Sequence, residues 1–381
     1  MEELEKFKDI RPYTDEEAIK VFKEISSHPA IYSVMKVLNP YLNKEEVKEY
    51  IESFKSVDDF QRKFSYPGLR YIIDKTSDGL SECGLDLLDK NSAYLFVSTH
   101  RDIMLDTSLL NFLMFNHGFK LSEAAIGDNL IKRDLLNKLA RLNRNFVVKR
   151  DAPVREMIVN SKKLSEYINF VINKKNRSVW IAQREGRTKN GKDATHPGLL
   201  KMLTLASEKE QSVVDYLKNL RIVPLAISYE YDPTDRLKIN ELIAKENNEE
   251  YLKYRNEDFQ QIITGLTGSK KRIHLTASNV LGDELNVLKD YQGNKLLQKL
   301  AEIIDYKIIE SYKLWPSNYI AYDILNNTNK FESEYSPAEK KSFLRRLEKR
   351  ATQHSHKDAS RTFLEMYANP VISKENIGLI R

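Results

Sequence analysis

The sequence predicts an α/β fold: a mixed, largely parallel sheet flanked by helices, with an N-terminal helical subdomain and a helical C-terminal extension. Three observations lead there. Short β-rich runs alternate with helical stretches through the middle of the chain. Both ends carry helical periodicity with capping signals at the helix starts. The longest apolar runs, such as "AYLFV" and "IVPLAI", have buried-strand length and fall far short of the roughly 18 residues of a membrane span.

The elements follow in order. Thr14-Asp15-Glu16-Glu17 reads as a capping box opening "DEEAIKVFKEIS", with Ala18, Val21, Phe22 and Ile25 at helical spacing. Asn43 to Glu46 opens a second helix the same way, and Ser56 a third. From about residue 92 "AYLFVS" reads as a strand, followed by a helical "DTSLLNFLMFNHG". "AAIG" is a second strand and "NLIKRDLLNKLARLN" a helix; "NFVVK" is a strand, after which Asp151 is placed to cap a long helix. "SVWIAQ", "RIVPLAIS" and "RIHLTAS" complete the strands. Helices return after residue 291, and Ser336-Pro337-Ala338-Glu339 is a capping box with Pro at the first helical position. These readings divide the chain into a helical N-terminal subdomain (1–85), an α/β domain (86–290) and a helical C-terminal extension (291–381).

Composition bounds the function. With 41% hydrophobic and 30% charged residues, the chain has the balance of a folded soluble protein. Its N-terminus is acidic and shows no apolar signal segment, so a cytoplasmic location is expected. The lone Cys83 excludes an internal disulfide and a cysteine metal cluster. A net charge of +6 is weak grounds for an anionic partner, but residues 128–150 hold seven Lys/Arg against two Asp. That run is read as a solvated face or as a docking face for an acidic partner or an anionic bilayer. Zinc spacing and RNP-like strands are missing, so no nucleic-acid partner is expected.

Ligands of open α/β sheets bind beyond the carboxyl ends of the strands. The residues to weigh are therefore His100, Lys149, Arg150, Glu185 to Lys189, and Tyr229. The triplet His100-Arg101-Asp102 has the letters of a kinase catalytic loop. However, position 107 is Thr where that loop needs Asn, and no Gly-rich phosphate loop or Asp-Phe-Gly occurs. A nucleophile elbow is lacking too. His354 and His356 with Asp358 form the closest histidine pair, in a polar helical tail where a solvated surface is the simpler reading; no metal site is expected. That leaves His100 as a general base at a strand end, with Asp102 and Asp106 both near enough to orient its ring. Either carboxylate could instead belong to a turn or helix cap.

Four separated stretches decide more than His100 alone. "VSTHRDIMLD", "NFVVKR", "QREGRTKNGKDATHPGLLKM" and "RIVPLAISYE" occur in that order, each at a predicted strand end. Together they resemble the glycerophospholipid acyltransferase superfamily, particularly its glycerol-3-phosphate acyltransferase branch, which Arg101 and the "NGK…PGLL" continuation favour. The resemblance spans roughly residues 92–232. It implies transfer of a fatty acyl group from an acyl thioester, acyl-CoA or acyl carrier protein, to glycerol-3-phosphate, with no resident cofactor. A lysophosphatidate or other lipid acceptor is the alternative, and a catalytically inactive lipid-binding relative is the reading outside enzymes. The carried-over roles are base for His100, partner for Asp106 with Asp102 as rival, and substrate binding for Arg101, Lys149, Arg150, Glu185, Gly186, Arg187, Lys189 and Pro224. Peripheral contact with the inner face of the cytoplasmic membrane is implied as well. Two spacings depart from the family: its Asp falls five positions after the His where Asp106 falls six after His100, and the third block is one residue short before Arg187.

Overall fold

The structure, a computed structural model, describes residues 2–150, 153–208 and 210–380. Among the described residues seven strands form one sheet: β1 (Ser77–Cys83), β2 (Leu95–Ser98), β3 (Glu123–Gly127), β4 (Asn145–Val148), β5 (Val179–Ala182), β6 (Ile222–Tyr229) and β7 (Lys271–Ala277). Their order is β1-β7-β6-β2-β5-β3-β4. Neighbours run parallel except β6 and β7, which are antiparallel. The fold is thus α/β with a mixed, mostly parallel sheet.

β2 sits at the centre, hydrogen-bonded to β5 on one side and β6 on the other. All four of its residues are buried, as a strand covered on both faces must be. On one face Leu95, Val97, Val179 and Ile181 pack with the helices Val154–Asn173 and Gly293–Glu310. On the other, Phe96, Trp180, Val223 and Leu225 pack with the helix Leu105–Asn116. Each such apolar side chain contributes about 1.5–3 kcal/mol when fully buried. The first helix of the C-terminal extension is therefore part of the sheet's own cover. The last three helices form a separate apolar cluster with Tyr231, Ile239 and Ile243.

The capping boxes at Thr14, Asn43 and Ser336 all form, each with its reciprocal glutamate. Asp151 lies outside the described residues. β1 is the departure: it lies in the stretch expected to be helical and joins the sheet edge beside β7. Its sequence "SDGLSEC" is polar because an edge strand buries little, so no apolar alternation marks it.

The basic run at 128–150 is largely consumed inside the molecule. Lys138 pairs with Asp134 and Glu24, and Arg144 reaches Gln61 and Asp58. Arg141 donates to the carbonyls of Asp9 and Arg11, and Lys149 to the Asp9 carboxylate. These cations fasten the N-terminal helices and the 7–11 segment to the sheet, where the Val147 N–H also bonds the Ile10 carbonyl at 2.8 Å.

Candidate active site

The site begins where β2 ends. The Thr99 N–H bonds the Leu225 carbonyl of β6, and the Gln183 N–H, just past β5, bonds the Ser98 carbonyl. The chain then leaves the sheet at His100, whose carbonyl accepts the Thr188 N–H at 2.8 Å. Six residues later Asp106, in the first turn of Leu105–Asn116, points back at it. Its Oδ2 lies 2.9 Å from His100 Nδ1 and accepts the N–H groups of Arg101 (2.6 Å) and Asp102 (3.0 Å). Its Oδ1 accepts the Tyr229 hydroxyl at 3.0 Å. With backbone N–H groups already pointing at Oδ2, Nδ1 must be the donating, protonated nitrogen of the ring. That leaves the Nε2 lone pair free, and no described residue hydrogen-bonds it. The His100 ring stands edge-on to Trp180, 5.5 Å between centroids.

The two carboxylates divide their duties. Asp102 Oδ1 accepts the N–H groups of Met104 and Leu105, both at 2.9 Å, and so caps the helix that carries Asp106. The capping turn and the first residues of the helix span the six positions from His100 to Asp106, and the two side chains meet at 2.9 Å. Burial, reinforced by the neighbouring Asp106, pushes the Asp102 carboxyl above its ordinary value. Burial likewise pushes the Tyr229 hydroxyl well up, which keeps it a donor.

The expected substrate-binding residues fare differently. Arg101 pairs with Asp193, and the Tyr312 hydroxyl bonds the same carboxylate. Lys189 pairs with Glu241, yet burial still holds its ammonium down to about 8. Arg187 donates through Nη2 to Gln261, while its Nη1 is buried without a partner among the described residues. Gly186 adopts φ +71°, a left-handed turn that glycine alone takes at no cost. Arg150 and Glu185 lie 3.6 Å apart on neighbouring loops, with Glu185 exposed. Arg150 follows β4, separated from β2 by two strands, and Lys149 is occupied by Asp9. The loops thus bring Arg101, Arg187 and Lys189 beside His100, while Lys149 follows β4 at the same carboxyl edge but two strands away. Pro224 is not at the rim: it pairs in register with Val97 in the body of β6, and Tyr229 occupies the strand end instead.

No family model and no curated protein matches the chain. Among solved structures it is similar to the 1-acyl-sn-glycerophosphate acyltransferase of Thermotoga maritima. The likeness has 12% identity and a TM-score of 0.37, and covers 78% of this chain and 96% of that one. So loose a likeness says nothing about residues or reaction; those rest on the geometry.

Several residues of the site carry no motif. The buried Lys238 donates to the Arg101 carbonyl at 3.0 Å and pairs with Asp232, which fixes the loop beside His100. Behind it Asp235 accepts from Arg346 and from the Tyr367 hydroxyl, so the C-terminal helices brace the same loop. Gly265 faces Asp102: a Cβ there would stand 2.1 Å from Oδ2. Lys238, Asp235 and Gly265 carry no signal in the sequence, whereas Tyr229 is flagged by its strand-end position. No helix among the described residues is long and apolar enough to cross a membrane.

Proposed function

We propose that the protein is an O-acyltransferase that moves a fatty acyl group from an acyl thioester to the hydroxyl of glycerol-3-phosphate. The observation that carries this reading is the His100–Asp106 pair at the carboxyl end of the central strand, with Nε2 unbonded and Nδ1 locked. A neutral imidazole so held presents its Nε2 lone pair to a substrate hydroxyl, and general-base assistance contributes about 10²–10⁴-fold. The acceptor oxygen attacks the thioester carbonyl while Nε2 takes its proton. Asp106 stabilises the imidazolium that results. The carbon–sulfur bond then breaks, and the leaving thiolate takes the proton back from Nε2, so the base is regenerated.

No covalent enzyme intermediate is required, since the thioester is already activated. The donor is acyl-CoA or acyl carrier protein. An acceptor phosphate needs fixed cations, and the loops beside His100 carry Arg101, Arg187 and Lys189. The four sequence blocks, in family order, support the same chemistry. Peripheral contact with the inner face of the cytoplasmic membrane completes the proposal.

The test is a radiolabelled acyl-transfer assay with both donors and with glycerol-3-phosphate and lysophosphatidate as acceptors. Wild type is expected to acylate glycerol-3-phosphate, and His100→Ala to lose at least about 10²-fold in rate. Equal product from both proteins would rule the mechanism out. Product from lysophosphatidate alone would keep the chemistry and replace the acceptor.

A further inference from the structure

A small, half-open cavity lies between the rim of β6 and the C-terminal helices. Its wall is joined directly to the dyad. The Arg101 N–H and the Tyr229 hydroxyl both bond Asp106, and both residues line the cavity. Three cations line it, Arg101, Lys189 and Lys313, against one carboxylate, Asp232. Internal carboxylates match two of the cations: Asp193 faces Arg101 and Glu241 faces Lys189. Asp232 is itself matched by Lys238.

Lys313 differs from all of these. No described carboxylate pairs with it, and its ammonium rests 5.8 Å over the Trp315 ring. Its position is nevertheless fixed. The Lys313 N–H bonds the Ser228 hydroxyl at 3.2 Å, and Trp315 Nε1 donates to the Ser228 carbonyl at 3.2 Å. Thr188, another residue of the cavity wall, carries a donor with nothing to bind. Thr188 is 2% exposed, and its hydroxyl is buried without a partner among the described residues. An unmatched cation, an unpartnered buried hydroxyl and the accepting Ser228 hydroxyl, whose own proton is left over, suit a small anion bearing several oxygens.

We infer that this cavity is a binding subsite for the phosphate group of the acyl acceptor, completed from outside the α/β domain by Lys313. The inference rests on the acyl-transfer reading for the identity of the ligand. Lys313 acts as a point charge on the phosphate oxygens, Thr188 and Ser228 donate to them, and the acceptor's hydroxyl is thereby directed toward His100. The C-terminal extension is then a specificity element as well as a cover for the sheet.

The experiment compares wild type, Lys313→Met, Lys313→Arg and, as a surface control on the same extension, Lys357→Met. Acyl-transfer kinetics give KM for glycerol-3-phosphate, and calorimetry gives Kd for glycerol-3-phosphate and for inorganic phosphate. Lys313 is exposed, so the variants retain the core. Lys313→Met is expected to raise KM and both Kd values at least about 10-fold with kcat nearly unchanged, Lys313→Arg to recover most of the loss, and Lys357→Met to match wild type. A KM and Kd within about twofold of wild type in Lys313→Met would overturn the subsite and leave the acyl-transfer reading standing. If wild type transferred no acyl group but Lys313→Met still weakened binding of inorganic phosphate, the anion subsite would stand and the reaction would fall.

Discussion

Tyr229, the last residue of β6, donates its hydroxyl to Oδ1 of Asp106 at 3.0 Å while His100 and two backbone N–H groups occupy Oδ2. Both oxygens of a fully buried carboxylate are thereby satisfied without water. The antiparallel neighbour β7 holds β6 in register to Tyr229 itself, so the sheet places this hydroxyl as rigidly as it places His100.

Tyr229→Phe should therefore leave Asp106 Oδ1 buried and unpaired. The expected cost is about 1–3 kcal/mol of stability, read as a lower urea midpoint with an unchanged slope. Activity should fall while glycerol-3-phosphate KM stays near wild type, because the tyrosine acts through Asp106. An unchanged urea midpoint would show that the hydrogen bond contributes nothing.

Gly265 tests the capping role of Asp102. In an ordinary helix interior Gly→Ala stabilises by up to about 1 kcal/mol. Here the new Cβ would meet Asp102 Oδ2 at 2.1 Å, so Gly265→Ala should instead destabilise by about 1–3 kcal/mol. The clash disappears in Gly265→Ala/Asp102→Ala. The double variant should consequently lose less than the sum of the two single losses; simple additivity in thermal unfolding would deny the contact.

Asp305 gives the pH dependence. It accepts the Thr195 N–H at 2.7 Å from the helix Gly293–Glu310, and burial pushes its carboxyl up to about 6. The unfolded chain releases this proton near its ordinary 3.8, whereas the folded chain keeps it to about 6. Between those values the folded state binds more protons, so stability falls as pH rises and levels off above about 6. The size is about 3 kcal/mol for a two-unit shift, to order of magnitude. Asp305→Asn keeps an acceptor for Thr195 without the titration. Chemical denaturation at pH 4 and pH 7 should show this decline in wild type and a smaller one in the variant.

The central frame was legible because its signals are local. Strands of four to six apolar residues between helical stretches gave the parallel sheet, and the rule that sites lie at strand ends pointed to His100 and Tyr229. The Asp102–Asp106 ambiguity was not resolvable by spacing, since both lie within reach of His100; the helix geometry assigned the cap to one and the ring to the other. The ion pairs of the motif cations were hidden for a related reason. Arg101, Lys149 and Lys189 find carboxylates at Asp193, Asp9 and Glu241, far away in sequence and invisible without the fold. Lys313 lies outside the four blocks that carry the resemblance, and β1 is polar because it is an edge.

The most direct test of the central claim compares kcat for acyl transfer in Asp106→Asn and Asp102→Asn. Asparagine at 106 cannot stabilise the imidazolium, so a fall of about 10²–10⁴-fold is predicted. Asparagine at 102 retains the oxygen that caps Met104 and Leu105, so kcat should stay within about 10-fold of wild type. The reverse ranking, or equal losses, would contradict the assignment of Asp106 as the partner of His100.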